Sequence, residues 1–300
     1  MPRRRFRADR PALTAAGLLV VLVLLAVAAP LVVDIAGTTG PNVRNPATLT
    51  AFGVSAGPSA AHPFGVDALG RDVFARVVYG ARVSLEVGLL GAAVATALGG
   101  LIGIAAAIAP GWLGTLLMGA VEACLAVPAI VLGLGIGAAC GADGCAAGLI
   151  APGRGTVIFI VAVAGFGAVA RIVSERVRTL REQAFVDAAR SLGASPSRLL
   201  RREILPNLID PLLVVALQLV PMAILLEAAL AFLGVGVRPP TPDWGQMIAG
   251  AGDAIISGNP AWWYLVFPGL ALLSTVLAFS LVARAVARGR GITATSVLPA

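Results

Sequence analysis

Glu182–Pro206 reads EQAFVDAARSLGASPSRLLRREILP, a polar, arginine-rich stretch between two long apolar segments. Its pattern is helix, glycine break, second helix, Leu-Pro. Phe185, Ala188, Ala189 and Leu192 recur at helical spacing and predict one apolar face. Glu182, Asp187, Arg190 and Ser191 form the polar remainder. Gly193 stands where a helix ends on a left-handed residue. Ser195 then reads as an N-cap, with Pro196 at the first helical position. The second helix takes in Leu199, Leu200 and Ile204 and is expected to break near Pro206. Asn207, Asp210 and Pro211 open the next apolar segment. Two short helices at a tight bend, both continuing into apolar segments, make a rigid element that can transmit a push. Such an element is a candidate docking point for a partner.

The chain around this stretch is of another character. Of its 300 residues 58% are hydrophobic and 12% charged, and its mean hydropathy is +0.94. A soluble domain carries about 25% charged residues, so most of this surface should face lipid. The 36 glycines and 20 prolines agree, both types being frequent in membrane helices. A spanning helix needs about 20 mostly apolar residues. Six segments qualify: 12–33, 83–109, 113–138, 155–173, 208–233 and 261–284. The expected fold is all-α, a polytopic membrane protein of six transmembrane helices. The apolar run Ala12–Val33, broken only by Thr14, is longer than the core of a signal peptide and reads as an uncleaved first span. The third and fourth segments are rich in Gly and Ala, which predicts close packing inside the bundle. Pro221 predicts a kink in the fifth.

Arginine sets the orientation. With the N-terminus inside, residues 1–11, the turn near Pro110, 174–207 with Arg171 at its edge, and the C-terminal tail from Arg284 carry sixteen of the 22 basic residues, all arginine. Arg44, Arg71, Arg76, Arg82, Arg154 and Arg238 fall on the other side. This bias puts both termini in the cytoplasm. The chain then divides into a cytoplasmic tail 1–11, a first helix 12–33, an extracytoplasmic loop 34–82, a core 83–284 of five helices that includes the cytoplasmic loop 174–207, and a tail 285–300. Arg71, Arg76 and Arg82 lie near Asp67, Asp72 and Glu86, which predicts ion pairing. In the second outer loop, 234–260, RPPTPDWG is expected to be extended. Trp262, Trp263 and Tyr264 predict an interface belt.

Several function classes fall away. A phosphate-cradling loop ends in Gly-Lys-Ser/Thr, and this chain has no lysine. If it serves an ATP-driven machine, another subunit hydrolyses the ATP. The net charge of +7 is distributed as a membrane orientation signal, not as a nucleic-acid surface. Cys124, Cys140 and Cys145 lack zinc spacing. Cys140 and Cys145, in CGADGC, either bridge in an oxidising compartment or stay unpaired. His62, the lone histidine, has neither a nucleophile nor a ligand cluster beside it and reads as a loop residue. The arginines at 198–202 suit a partner or lipid headgroups better than RNA. Glu227, deep in the fifth segment, is either a pathway residue or a hydrogen bond between helices, the second being favoured. Glu86 and Glu122 read as interfacial or helix-pairing. An intramembrane enzyme would need a nucleophile–base pair or a metal cluster, and neither is found. A stand-alone secondary transporter would show repeat symmetry, and none is seen.

Asp187-Ala188-Ala189, three residues, Gly193, eleven residues, then Leu205-Pro206 resembles the EAA loop of ABC importer permeases. Asp187 keeps the carboxylate of the motif's Glu; Glu203 stands where many relatives are apolar. His62-Pro63-Phe64-Gly65-Val66-Asp67, Gly70-Arg71-Asp72-Val73-Phe74, Tyr79-Gly80-Ala81-Arg82, Arg181-Glu182-Gln183, Leu192-Gly193-Ala194-Ser195, Ile204-Leu205-Pro206-Asn207, Glu227-Ala228, Phe232-Leu233-Gly234 and Pro239-Pro240-Thr241-Pro242-Asp243-Trp244-Gly245 resemble the dipeptide/oligopeptide/nickel branch.

The resemblance implies a type I ABC importer permease-like bundle in a bacterial inner membrane. It implies a heterodimer with a second permease and an extracytoplasmic binding protein. Two ATPase subunits would hold ATP and Mg, with no cofactor, metal or catalytic residue in this chain. Glu182, Phe185, Asp187, Ala188, Ala189, Gly193 and Ala194 would contact the ATPase, with Leu205 and Pro206 as the exit. The implied cargo is di- or oligopeptides, with nickel or another small solute as the alternative.

Overall fold

The Asp72 carboxylate accepts the Ala75 N–H at 2.8 Å and starts a helix of 36 residues. In the computed structural model, which describes residues 10–50, 54–140, 144–145 and 148–290, this helix runs Val73–Ile108. Arg3, Arg4, Arg5 and Arg7 and most of the 285–300 tail lie outside the described residues. Along the chain the helices are α1 (Arg10–Val27), α2 (Ala29–Ile35), α3 (Val73–Ile108), α4 (Gly111–Leu125), α5 (Ala129–Cys140), α6 (Arg154–Arg181), α7 (Ala184–Ser191), α8 (Pro196–Arg198), α9 (Leu205–Phe232), α10 (Trp244–Ile256) and α11 (Trp262–Gly289). Among the described residues β structure is limited to isolated bridges such as Val66 with Asp72. Five stretches are long and apolar enough to cross a membrane: α1, α3, α6, the run Pro196–Phe232, and α11. The pair α4 and α5, bent by 89°, makes a sixth if it counts as one span.

α3 against α6 is the central seam. A Cβ on Gly103 would stand 2.5 Å from the Ala170 carbonyl oxygen and 2.9 Å from the Val173 Cβ. One on Gly99 would strike the Phe166 carbonyl and Val169. The Gly99-x-x-x-Gly103 spacing thus lets two helix backbones touch, as small residues do in membrane bundles. α9 packs on the same pair: Gly88 of α3 leaves room for Ile224. One apolar core joins Val83, Val87, Val161, Ile224 and Trp244; a second, nearer α7, joins Val169, Val173, Val177, Ile204 and Leu208.

Six expectations change. The loop expected over 34–82 ends ten residues early, because the amphipathic stretch after Asp72 is the first part of α3. It is buried under the preceding loop, where Asp67 and Arg76 are covered. The expected break at Pro206 does not occur. α8 passes through a π-helical turn, Leu199–Ile204, straight into α9. Pro206 lacks an N–H and would crowd the carbonyl four residues back. The wider turn absorbs this, with the Leu205 N–H donating to the Leu200 carbonyl five residues earlier.

The third segment is not interior. It breaks at Ala126–Pro128, and Trp112, Leu116 and Val131 on its two halves are exposed. RPPTPDWG is not extended. It turns at Arg238–Thr241, and Asp243 caps α10, a helix inside the expected outer loop 234–260. The aromatic belt shrinks to Trp262. Trp263 and Tyr264 are buried, and the Trp263 indole donates to the Val66 carbonyl at 3.0 Å, fastening the long loop.

The arginine pairings are also redistributed. Arg71 binds Asp67 at 2.6 Å, with the Arg76 Nε 3.8 Å from the same carboxylate. Asp72 is held instead by His62 at 2.7 Å. Arg82 donates to the Val27 carbonyl, and Glu86 pairs with Arg154 at 2.9 Å across α3 and α6. Glu122 lies 3.7 Å from Arg171 and so ties α4 to α6.

Candidate functional site

α6 ends at Arg181, whose guanidinium donates to the Ala107 carbonyl at 2.6 Å and ties it to the end of α3. Glu182 is the C-cap. α7 follows, with Asp187 in its first turn and Arg190 in its last. That order suits the helix dipole, and the two side chains pair at 2.9 Å in the open.

Three backbone bonds close the helix: Leu192 N–H to Ala188, Gly193 N–H to Arg190 and Ala194 N–H to Ala189. Gly193 sits at φ +80, the left-handed region where a side chain costs about 1–2 kcal/mol. Ser195 then accepts the Arg198 N–H, and Pro196 opens α8. The break and restart stand where the Gly-Ala-Ser-Pro pattern places them.

The expected apolar face of α7 does not turn inward. Phe185 is 41% exposed, Leu192 is 89% exposed, and Ala188 is also open. Val186 is the one wholly buried residue of α7 and anchors the elbow, which leans on α6 and on the π-helical turn. Leu205 packs against the second core, while Pro206 is exposed. The structure thus brings Glu182, Phe185, Asp187, Ala188, Ala189, Gly193 and Ala194 together on one projecting elbow. It places Leu205 and Pro206 where that elbow enters the bundle. Val186 and the Arg181 tether were missed: a lone valine among polar residues shows no periodicity, and a tether to a distant carbonyl leaves no mark in sequence.

Glu227 lies elsewhere. It is fully buried where α3, α9 and α10 meet, accepting the Ser84 hydroxyl at 3.3 Å and facing the Asp243 carboxyl. Cys140 and Cys145 are disulfide-bonded with Cα atoms 4.4 Å apart, and Cys124 is free and exposed. A cavity of about 400 Å³ opens at the end away from α7, lined in part by Asp67, Arg71, Asp253, Ser257 and Tyr264.

The bundle and its projecting, partly apolar elbow are those of a known class. Residues 99–291 match the family described as binding-protein-dependent transport system inner membrane component. The chain belongs to this family of transport permeases. Residues 3–48 of the permease also match the N-terminal transmembrane domain of oligopeptide transport permease C.

The permease is 43% identical over 228 residues to a putative peptide transport system permease protein of Brucella suis, covering 75% of this chain and 71% of that one. It is 36% identical over 280 residues to the glutathione transport system permease protein GsiD of Escherichia coli, covering 93% and 85%. Its fold matches a chain of the MetNI methionine ABC transporter in an inward-facing conformation, with TM-score 0.57 and 20% identity over 73% of this chain and 96% of that one. The permease is therefore a multi-pass membrane subunit of an ATP-binding cassette importer, and its family is a transport family.

Proposed function

We propose that this permease forms, with a second permease, the path by which short peptides enter a bacterial cell. The relatives' peptide and glutathione cargo supports the substrate class. Two ATPase subunits, which bind ATP and Mg, drive the cycle, and an extracytoplasmic binding protein delivers the peptide. This chain holds no cofactor and performs no catalysis. The observation that carries the reading is the elbow: Phe185 and Leu192 present apolar surface to the outside on an element held rigidly between two membrane spans. Burying a leucine or phenylalanine contributes about 1.5–3 kcal/mol, so a groove on an ATPase subunit would be gripped here. Closure of the ATPase pair on ATP then moves the elbow, and its arms carry the motion into α6 and α9.

The α7 end also receives the start of α1 and the end of α11, and most of the arginines. That distribution supports a cytoplasmic α7 end and cytoplasmic termini. The cavity beside Asp253 then faces the binding protein. α4 and α5 offer the surface for the second permease: Gly119 and Gly135 have nothing within 4 Å of a built Cβ, and small residues on an open helix face suit close helix approach. The test is uptake by proteoliposomes. Labelled dipeptide should enter only when both permeases, the ATPases, the binding protein and ATP are present. Uptake by this chain alone would overturn the reading.

A further inference from the structure

Beyond the elbow, Ser197, Arg198, Arg201 and Arg202 line a notch of about 340 Å³. Ser197 and Arg198 belong to α8; Arg201 and Arg202 belong to the π-helical turn. All four side chains are exposed. Among the described residues, none of the three guanidinium groups holds an ion pair or hydrogen bond, although Asp187 pairs nearby with Arg190 and Asp210 with Arg290. Three positive charges of one sign gathered in a concave site repel one another unless an anion sits among them. Arginine forks suit phosphate oxygens, which they bind in pairs.

What lies below the notch narrows the anion. Arg198, Arg202, Pro206, Ile209 and Leu213 follow at spacings of four, four, three and four along one continuous helical run. They share a face, and each is exposed, Ile209 by 61% and Leu213 by 39%. The face is cationic for its first turns and apolar after Pro206. A free phosphate has no use for the apolar part, and an acidic protein segment would be out of reach of it. A molecule with a phosphodiester head and hydrocarbon tails matches both parts.

We propose that Ser197, Arg198, Arg201 and Arg202 form a binding site for the headgroup of an anionic phospholipid, whose acyl chain lies along Ile209 and Leu213. The site stands on the arm that joins the elbow to α9. A bound lipid would keep that arm at the headgroup level as it carries the motion of α7. The inference rests on the chain spanning a membrane and not on the identity of the cargo or on elbow docking.

The test uses the full transporter in nanodiscs of phosphatidylglycerol and phosphatidylcholine, with retained lipids counted by native mass spectrometry. The triple variant Arg198→Gln/Arg201→Gln/Arg202→Gln should lose about one tightly held phosphatidylglycerol per copy of this chain. Its affinity should fall roughly fivefold for each arginine removed, about a hundredfold for all three. Substitution of the three by lysine should keep the charge-driven part of the binding and lose the paired contacts, so retention falls between the arginine and glutamine forms, and Ile209→Ser should weaken it without touching the charges. Inorganic phosphate at millimolar concentration should not displace the lipid. Unchanged lipid retention in the triple glutamine variant overturns the proposal. So does full displacement by phosphate, which marks a free-anion site. Loss of the ATPase subunits with lipid retained also overturns it, since the cluster is then a protein-docking surface.

Discussion

Val186 and Leu192 stand six residues apart on one elbow and meet opposite surroundings: Val186 is wholly buried, while Leu192 is 89% exposed. One fixes the elbow to its own bundle; the other is left for something else to cover. Leu192 and the exposed Phe185 are the apolar surface that the proposed ATPase contact would cover. On the proposed docking, Val186 serves the fold and Leu192 the partner.

Val186→Ala should loosen the elbow, at about 2 kcal/mol of local stability. Leu192→Ser should leave the melting temperature of the permease unchanged and weaken ATPase association roughly tenfold to a hundredfold, the equivalent of one leucine's burial. Thermal unfolding in detergent and pull-down of the ATPase subunits check the pair. Equal loss of stability in both variants would contradict the division of roles.

Gly193 makes a conformational prediction. A Cβ there meets nothing within 4 Å, so an added side chain acts through φ +80 alone. Gly193→Ala should cost about 1–2 kcal/mol and keep reduced coupling. Gly193→Pro cannot adopt the angle and also removes the N–H given to Arg190. It should leave ATP hydrolysis without uptake, or lose the ATPase altogether, in an otherwise folded membrane domain. Transport and hydrolysis measured on the same proteoliposomes decide it.

The α3–α6 seam makes a folding prediction. Gly103→Leu must push a side chain into the Ala170 carbonyl and Val173. It should abolish the folded protein, read as loss of a monodisperse peak in detergent. Gly119→Leu on open α4 should fold normally and impair assembly with the second permease.

Glu227 separates a helix tie from a pathway acid. Its neighbours Ser84 and Asp243 are both fully buried, and one oxygen of Asp243 lacks a partner. Glu227→Gln supplies an amide N–H to that oxygen and should retain uptake and stability. Glu227→Leu leaves buried polar groups unpaired, at about 1–3 kcal/mol each. Loss of uptake in the glutamine variant with full stability would instead make Glu227 a pathway residue.

Much of this was written in local chemistry. Gly193, Ser195 and Pro196 act within one turn of themselves, so their roles could be read directly. The apolar segments announce spans for the same reason. What could not be read depends on distant atoms. The start of α3 at Val73 needed the loop that covers it, and the burial of Trp263 needed Val66. The passage of Pro206 needed a π-helical turn whose closing bond reaches back to Leu200. The direction of α7 also could not be read: helical periodicity shows that Phe185, Ala188, Ala189 and Leu192 lie together, and not which way they face.

The central claim is that the face carrying Leu192 enters an ATPase subunit. The direct measurement places a photo-activated cross-linking residue at position 192 of the assembled transporter, with a control at Met222, exposed on the membrane-spanning helix α9. The account predicts that position 192 captures the ATPase subunit and that position 222 does not. No ATPase adduct from 192, or equal capture from both positions, would contradict it.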